Sequence, residues 1–291
     1  MRRLIVFGCC LIGLMLAMLL PLRSAWAAAK VVPGSGNESL AQAVEALSNS
    51  DSTQYALFVA YPGENRAVYS YHSTQMRSAS MIKVFILGTA MEKIRDGKLS
   101  LYQNLILHSY DKVGGAGVLA GYASGTEFTL DTIMRLMITE SDNTATNMMI
   151  DLLGMDEINA YIKRQGYKDT ILQRKMMDSQ AVAAGRENYT SVNDLGDFFV
   201  KLYHRNCVSP ELDDVMLGYL EGQTDTECFP AALPGVMICH KTGELYGLYD
   251  DGGIVYQPGR HFIIVGMTEN YSSRGRAIAI LRQMAIAAAN H

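Results

Sequence analysis

Basic residues are scarce: 25 Lys and Arg stand against 29 Asp and Glu in 291 residues, a net charge of −4. That balance excludes the basic surface that a nucleic-acid-binding domain needs. There is one Trp, Trp26, and neither an internal repeat nor a low-complexity stretch. With 49% hydrophobic and 19% charged residues, the composition is globular and excludes a disordered scaffold. Past residue 27 no apolar run is long enough to cross a bilayer. Gly114-Gly115-Ala116-Gly117 lacks the following Lys-Ser or Lys-Thr of a phosphate-binding loop. The five Cys form no C-x-x-C pair, and the six His show no ligand spacing, so neither a metal nor a cofactor is expected.

What is present starts with an export signal. Arg2 and Arg3 precede the apolar run Leu4–Leu20, Pro21 breaks it, and Ala25-Trp26-Ala27 is an A-x-A cleavage site. An uncleaved anchor is the competing reading, since the run sits at the low end of spanning length. Cleavage after Ala27 would remove three Arg and no acid, taking the net charge from −4 to −7. The expectation is a protein exported to the periplasm or the cell exterior, held by no membrane and monomeric. Cys207, Cys228 and Cys239 would remain. A Cys207–Cys228 disulfide, worth about 3 kcal/mol, and three buried thiols both stay open. Cys239 and His240 are neighbours in a strand pattern, so their side chains face opposite ways.

Residues 28–36, ending Pro33-Gly34-Ser35-Gly36, read as a linker before a domain spanning 37–291. Leu40, Ala43, Val44 and Leu47 fall at helical spacing. Strand patterns follow near Tyr55–Tyr61 and Arg66–Tyr71, and return at Val236–Lys241, Gly253–Tyr256 and His261–Met267. Gly252-Gly253 and Pro258-Gly259 read as punctuation between these runs. Helical patterns fill the middle, and an Ala-rich helix closes the chain at 273–290. The order predicts one α/β domain: a sheet assembled from both termini, flanked by helices, with a helical lobe of about residues 85–233 inserted.

Ser80-Met81-Ile82-Lys83 is the first chemical candidate. On a helix starting at Ser80, positions i and i+3 share a face, placing the Lys83 amine beside the Ser80 hydroxyl. An amine that sheds its proton can activate a serine, and a helix N-terminus favours developing negative charge. The pattern alone is weak, because Ser109-Tyr110-Asp111-Lys112 matches it too, before a glycine-rich loop that fixes no such geometry. Two tripeptides decide between them. Ser141-Asp142-Asn143 lies between two helical segments, and Lys241-Thr242-Gly243 ends the first returning strand. Each alone reads as a helix cap or a strand end. In this order the three form an acyl-serine set.

With these motifs the chain resembles the class A β-lactamase-type, penicillin-recognising serine hydrolases. The resemblance covers nearly all of the domain. It extends to Gly115-Ala116-Gly117-Val118-Leu119, to Asp142–Asn147, to Thr170-Ile171-Leu172-Gln173-Arg174 and to Asn188-Tyr189-Thr190-Ser191. It implies that Ser80 is the nucleophile, Lys83 a proton acceptor and Ser141 the relay to the leaving nitrogen. Asn143 would hold the substrate's side-chain amide, and Lys241, Thr242 and Gly243 its carboxylate end. The backbone N–H groups of Ser80 and Glu244 would form the oxyanion hole, acting on charge that appears only in the transition state.

One position departs from the family. Its members carry a glutamate two residues after the Arg that here is Arg174, and it activates the water that releases the acyl group. Met176 stands there, and a thioether takes no proton. Asp178 and Glu187 are candidate replacements, each also readable as a solvated loop acid. The expectation is a β-lactamase-type hydrolase with slow deacylation, its partner a small β-lactam or a D-Ala-D-Ala peptide. The alternatives are a D-alanyl-D-alanine carboxypeptidase or transpeptidase, and a non-catalytic wall-binding homologue.

Overall fold

A computed structural model describes residues 37–64 and 66–291. The expected signal segment and linker lie outside the described residues. In chain order the strands are β1 (Gln54–Ala60), β2 (Tyr69–Tyr71), β3 (Met76–Arg77), β4 (Asn104–Ile106), β5 (Glu127–Thr129), β6 (Tyr189–Thr190), β7 (Met237–Leu245), β8 (Leu248–Gln257) and β9 (Arg260–Glu269). The helices are α1 (Glu38–Ser48), α2 (Lys83–Arg95), α3 (Leu130–Thr139), α4 (Asn143–Leu153), α5 (Met155–Gln165), α6 (Ser179–Ala183), α7 (Val192–Tyr203), α8 (Pro210–Glu221), α9 (Phe229–Ala232) and α10 (Arg274–Asn290).

The main sheet is antiparallel, in the order β2-β1-β9-β8-β7, so both ends of the chain build it as expected. Its strands are buried on both faces. In β1, Tyr55, Leu57 and Val59 join the core under α1 and α10, while Ala56, Phe58 and Ala60 join the core under the helical lobe. Successive side chains of a strand point to opposite faces, so a strand covered on both sides reads as a continuous apolar run. The inserted lobe carries α2–α8, with β4 pairing β5 and β3 pairing β6 as short two-stranded ladders, while α9 packs against α10.

One local reading changes. Gly252 and Gly253 are not punctuation but lie inside β8, where a Cβ on Gly253 would sit 2.2 Å from the Cys239 carbonyl oxygen. Gly252 backs onto Val265 and Met81 in the same way. Glycine here permits close backbone approach rather than a turn. Ser109–Asp111 forms one 3-10 turn. The three cysteines are free and buried, so the thiol alternative holds over the disulfide.

Candidate active site

Ser80 does not begin an α-helix. It sits in a 3-10 helix, Ala79–Ile82, that runs directly into α2 at Lys83. Residues 83–91 of α2 are all buried, which makes it the central helix of the lobe. That burial strips solvent from Lys83. The nucleophile turn is pressed against β7: a Cβ on Gly243 would lie 3.2 Å from the Ala79 Cβ and 3.1 Å from the Met81 side chain.

Ser141 lies just before α4, in a left-handed backbone conformation (φ 51°). Its neighbour Asp142 is buried and caps α4, accepting from the Ala145 N–H at 2.8 Å. The other Asp142 oxygen accepts from the N–H groups of Val118 and Leu119, at 2.6 and 2.8 Å. One carboxylate therefore ties the 113–119 segment to the helix that carries Asn143. Asn143 in turn donates to the Gly114 carbonyl at 3.1 Å.

Two lysines converge on Ser141. The Lys83 amine donates to the Ser141 carbonyl at 2.6 Å, to Ser141 Oγ at 3.1 Å and to Asn143 Oδ1 at 3.0 Å. Its bonds thus go to Ser141 and Asn143 rather than to the Ser80 hydroxyl. Lys241 donates to Ser141 Oγ at 3.0 Å and to the Thr242 carbonyl at 2.7 Å, leaving one N–H for a ligand. Burial, reinforced by the Lys241 charge, pushes the Lys83 amine well below the ordinary lysine range. Burial also lowers Lys241, to about 7, against the opposing pull of Asp225 and Asp251. Lys83 is therefore biased toward the neutral amine, whose two N–H groups serve the Ser141 carbonyl and Asn143 Oδ1 and whose lone pair can accept a proton. Beside it Ser141 supplies a hydroxyl in contact with both amines.

A cleft of about 390 Å³ lies beside this cluster, lined by Ser80, Asn143, Met176, Met177, Asp178, Val182, Glu244 and Leu245, among others. Strand β7 is the sheet edge, so part of its backbone faces the cleft instead of another strand. The opposite wall is the 174–179 segment. Asn147, one turn beyond Asn143 on α4, holds that wall by donating to the Met176 carbonyl and accepting from the Met176 N–H, at 3.1 and 2.8 Å. Its i, i+4 spacing from Asn143 was visible in the sequence, but its backbone partner was not. Glu187 pairs with Arg174 at 2.6 Å, both largely buried, so it anchors the wall. Asp178 lines the cleft and caps α6 through one oxygen. The second S-x-x-K stays out of the cluster: Ser109 is exposed and the Lys112 amine donates to the Tyr122 carbonyl.

A family model for the beta-lactamase enzyme family matches residues 39–291. The chain belongs to the beta-lactamase enzyme family. A beta-lactamase of Streptomyces lavendulae is 22% identical over 238 residues, covering 79% of this chain and 78% of that one. Among solved structures, a beta-lactamase from Sphaerobacter thermophilus DSM 20745 is 28% identical with a TM-score of 0.80, covering 87% of this chain and 96% of its own. A mutant of PBP-A, solved as an acyl-enzyme complex with penicillin G, is 25% identical with a TM-score of 0.80, covering 88% and 97%. Within this beta-lactamase family fold, both the antiparallel sheet and the inserted lobe match the expected architecture.

Proposed function

We propose that the protein is a serine hydrolase that opens the amide of β-lactams through an acyl-enzyme at Ser80. The observation that carries this reading is the pair of desolvated amines meeting at Ser141 Oγ beside the Ser80 turn. In it, the neutral Lys83 amine takes the Ser80 proton as the Oγ–carbonyl bond forms. The backbone N–H groups of Ser80 and Glu244 hold the oxyanion. Ser141 passes a proton to the leaving nitrogen, Asn143 holds the substrate's side-chain amide, and Lys241 with Thr242 and Gly243 receives the carboxylate. Release is slow, because Met176 offers no base to a water. Neither candidate acid takes over that step: Glu187 is committed to Arg174, and Asp178 spends an oxygen on a helix cap. Export by residues 1–27, with 37–291 as the working domain, belongs to the same reading.

A fluorescent penicillin is expected to label the purified protein, and Ser80→Ala to abolish the label. An unlabelled wild type would refute the acyl-serine mechanism. Nitrocefin turnover as fast as that of efficient β-lactamases would refute slow release. Met176 and the likeness to PBP-A favour a second reading, a D-alanyl-D-alanine carboxypeptidase or transpeptidase. Release of D-Ala from a peptidoglycan pentapeptide without β-lactam turnover would select it.

A further inference from the structure

The cleft is lined largely by apolar side chains, among them Met176, Met177, Val182 and Leu245. Three charged side chains line it: Arg174, Asp178 and Glu244. Arg174 is neutralised by Glu187, and Glu244 by Arg274 at 2.7 Å. Asp178 has no ion-pair partner among the described residues. Its Oδ1 accepts from the Ala181 N–H at 2.9 Å, which fixes the side chain at the start of α6.

Its place along the cleft follows from its neighbours. A Cβ on Gly115 would lie 2.5 Å from the Asn143 amide nitrogen and 3.1 Å from the Met177 sulfur, so Asn143 and Met177 flank the same narrow point. Asp178 is the next residue along the wall. With an amide held by Asn143, a substituent on the attached carbon would lie toward Met177, and Asp178 lines the same cleft. Uncompensated negative charge in an apolar cleft attracts a cation more strongly than it would in open water.

We infer that Asp178 is a specificity-determining residue that favours acyl donors carrying an ammonium group on the carbon next to the side-chain amide. The inference rests on the acyl-serine reading above. Benzylpenicillin and ampicillin differ by one such amino group and probe it directly. The expected result is acylation of wild type by ampicillin on the order of fivefold faster than by benzylpenicillin, a ratio that shrinks as salt rises. Asp178→Asn and Asp178→Ser both keep a capping oxygen while removing the charge, and in both the ratio should fall to about one. Thermal melting checks that each variant is folded. A ratio unchanged by both variants overturns the inference, as does a wild-type preference for benzylpenicillin. Equal slowing of adduct release for both penicillins, with no change in the acylation ratio, overturns it too by assigning Asp178 to deacylation. Failure of both penicillins to label wild type refutes the acyl-serine reading instead.

Discussion

Replacing Asp142 by alanine removes three hydrogen bonds from one buried side chain. The Ala145 N–H loses its helix cap, a loss of about 1 kcal/mol. The Val118 and Leu119 N–H groups lose their acceptor, at about 1–3 kcal/mol each when they stay buried. The sum is about 3–7 kcal/mol, a large fraction of the 5–15 kcal/mol that typically separates folded from unfolded states. Penicillin labelling should fall as well, because Ser141 and Asn143 flank Asp142 and would lose their shared anchor. Asp142→Asn is nearly as damaging: Oδ1 still caps α4, but an NH2 group now faces two N–H donors. The surroundings leave little room for relaxation, since a Cβ on Gly117 would lie 2.3 Å from the Asp142 carboxyl carbon. Urea unfolding of wild type and both variants measures the loss. A loss below about 1 kcal/mol for Asp142→Ala would show that these bonds carry little of the stability and that the 113–119 segment is held otherwise.

Met176→Glu should shorten the lifetime of the penicilloyl adduct by about a hundredfold or more, the usual contribution of a positioned base, as read by mass spectrometry over time. An unchanged lifetime would mean that the side chain at 176 does not reach the acyl group. Acylation by a carboxylate-bearing penicillin should rise with pH as Lys83 loses its proton, then fall through about 7 as Lys241 loses the charge that attracts the carboxylate. The kcat/KM profile of the free enzyme reports both limbs, and a penicillin ester should lack the alkaline one. Glu187→Gln leaves the Arg174 charge buried and unpaired, for an expected loss of about 3 kcal/mol in urea unfolding.

Much of the fold was legible because burial leaves its mark on the chain. The terminal strands read as short apolar runs, α1 through its apolar spacing and α10 through its alanines, since each must face a core. The glycine pair in β8 misled for a physical reason: glycine marks both turns and tight backbone contact, and only the neighbouring strand tells which. The three short motifs were legible as a set, and the structure brings Lys83, Ser141, Asn143 and Lys241 from them into contact.

Partners distant in the chain were a different matter. Lys83 is three residues from Ser80, yet its bonds go to residues 58 and 60 positions away, because the lobe folds α4 over the buried face of α2. Glu187 looked as free as Asp178 until Arg174 was found against it. The sequence alone determined the family chemistry and the missing glutamate, since both depend on which residues occupy a few positions. Only the tertiary structure decided that both amines are desolvated and that Glu187 is paired with Arg174. Those outcomes depend on burial and distance, and both are set by packing between segments that are far apart in the chain.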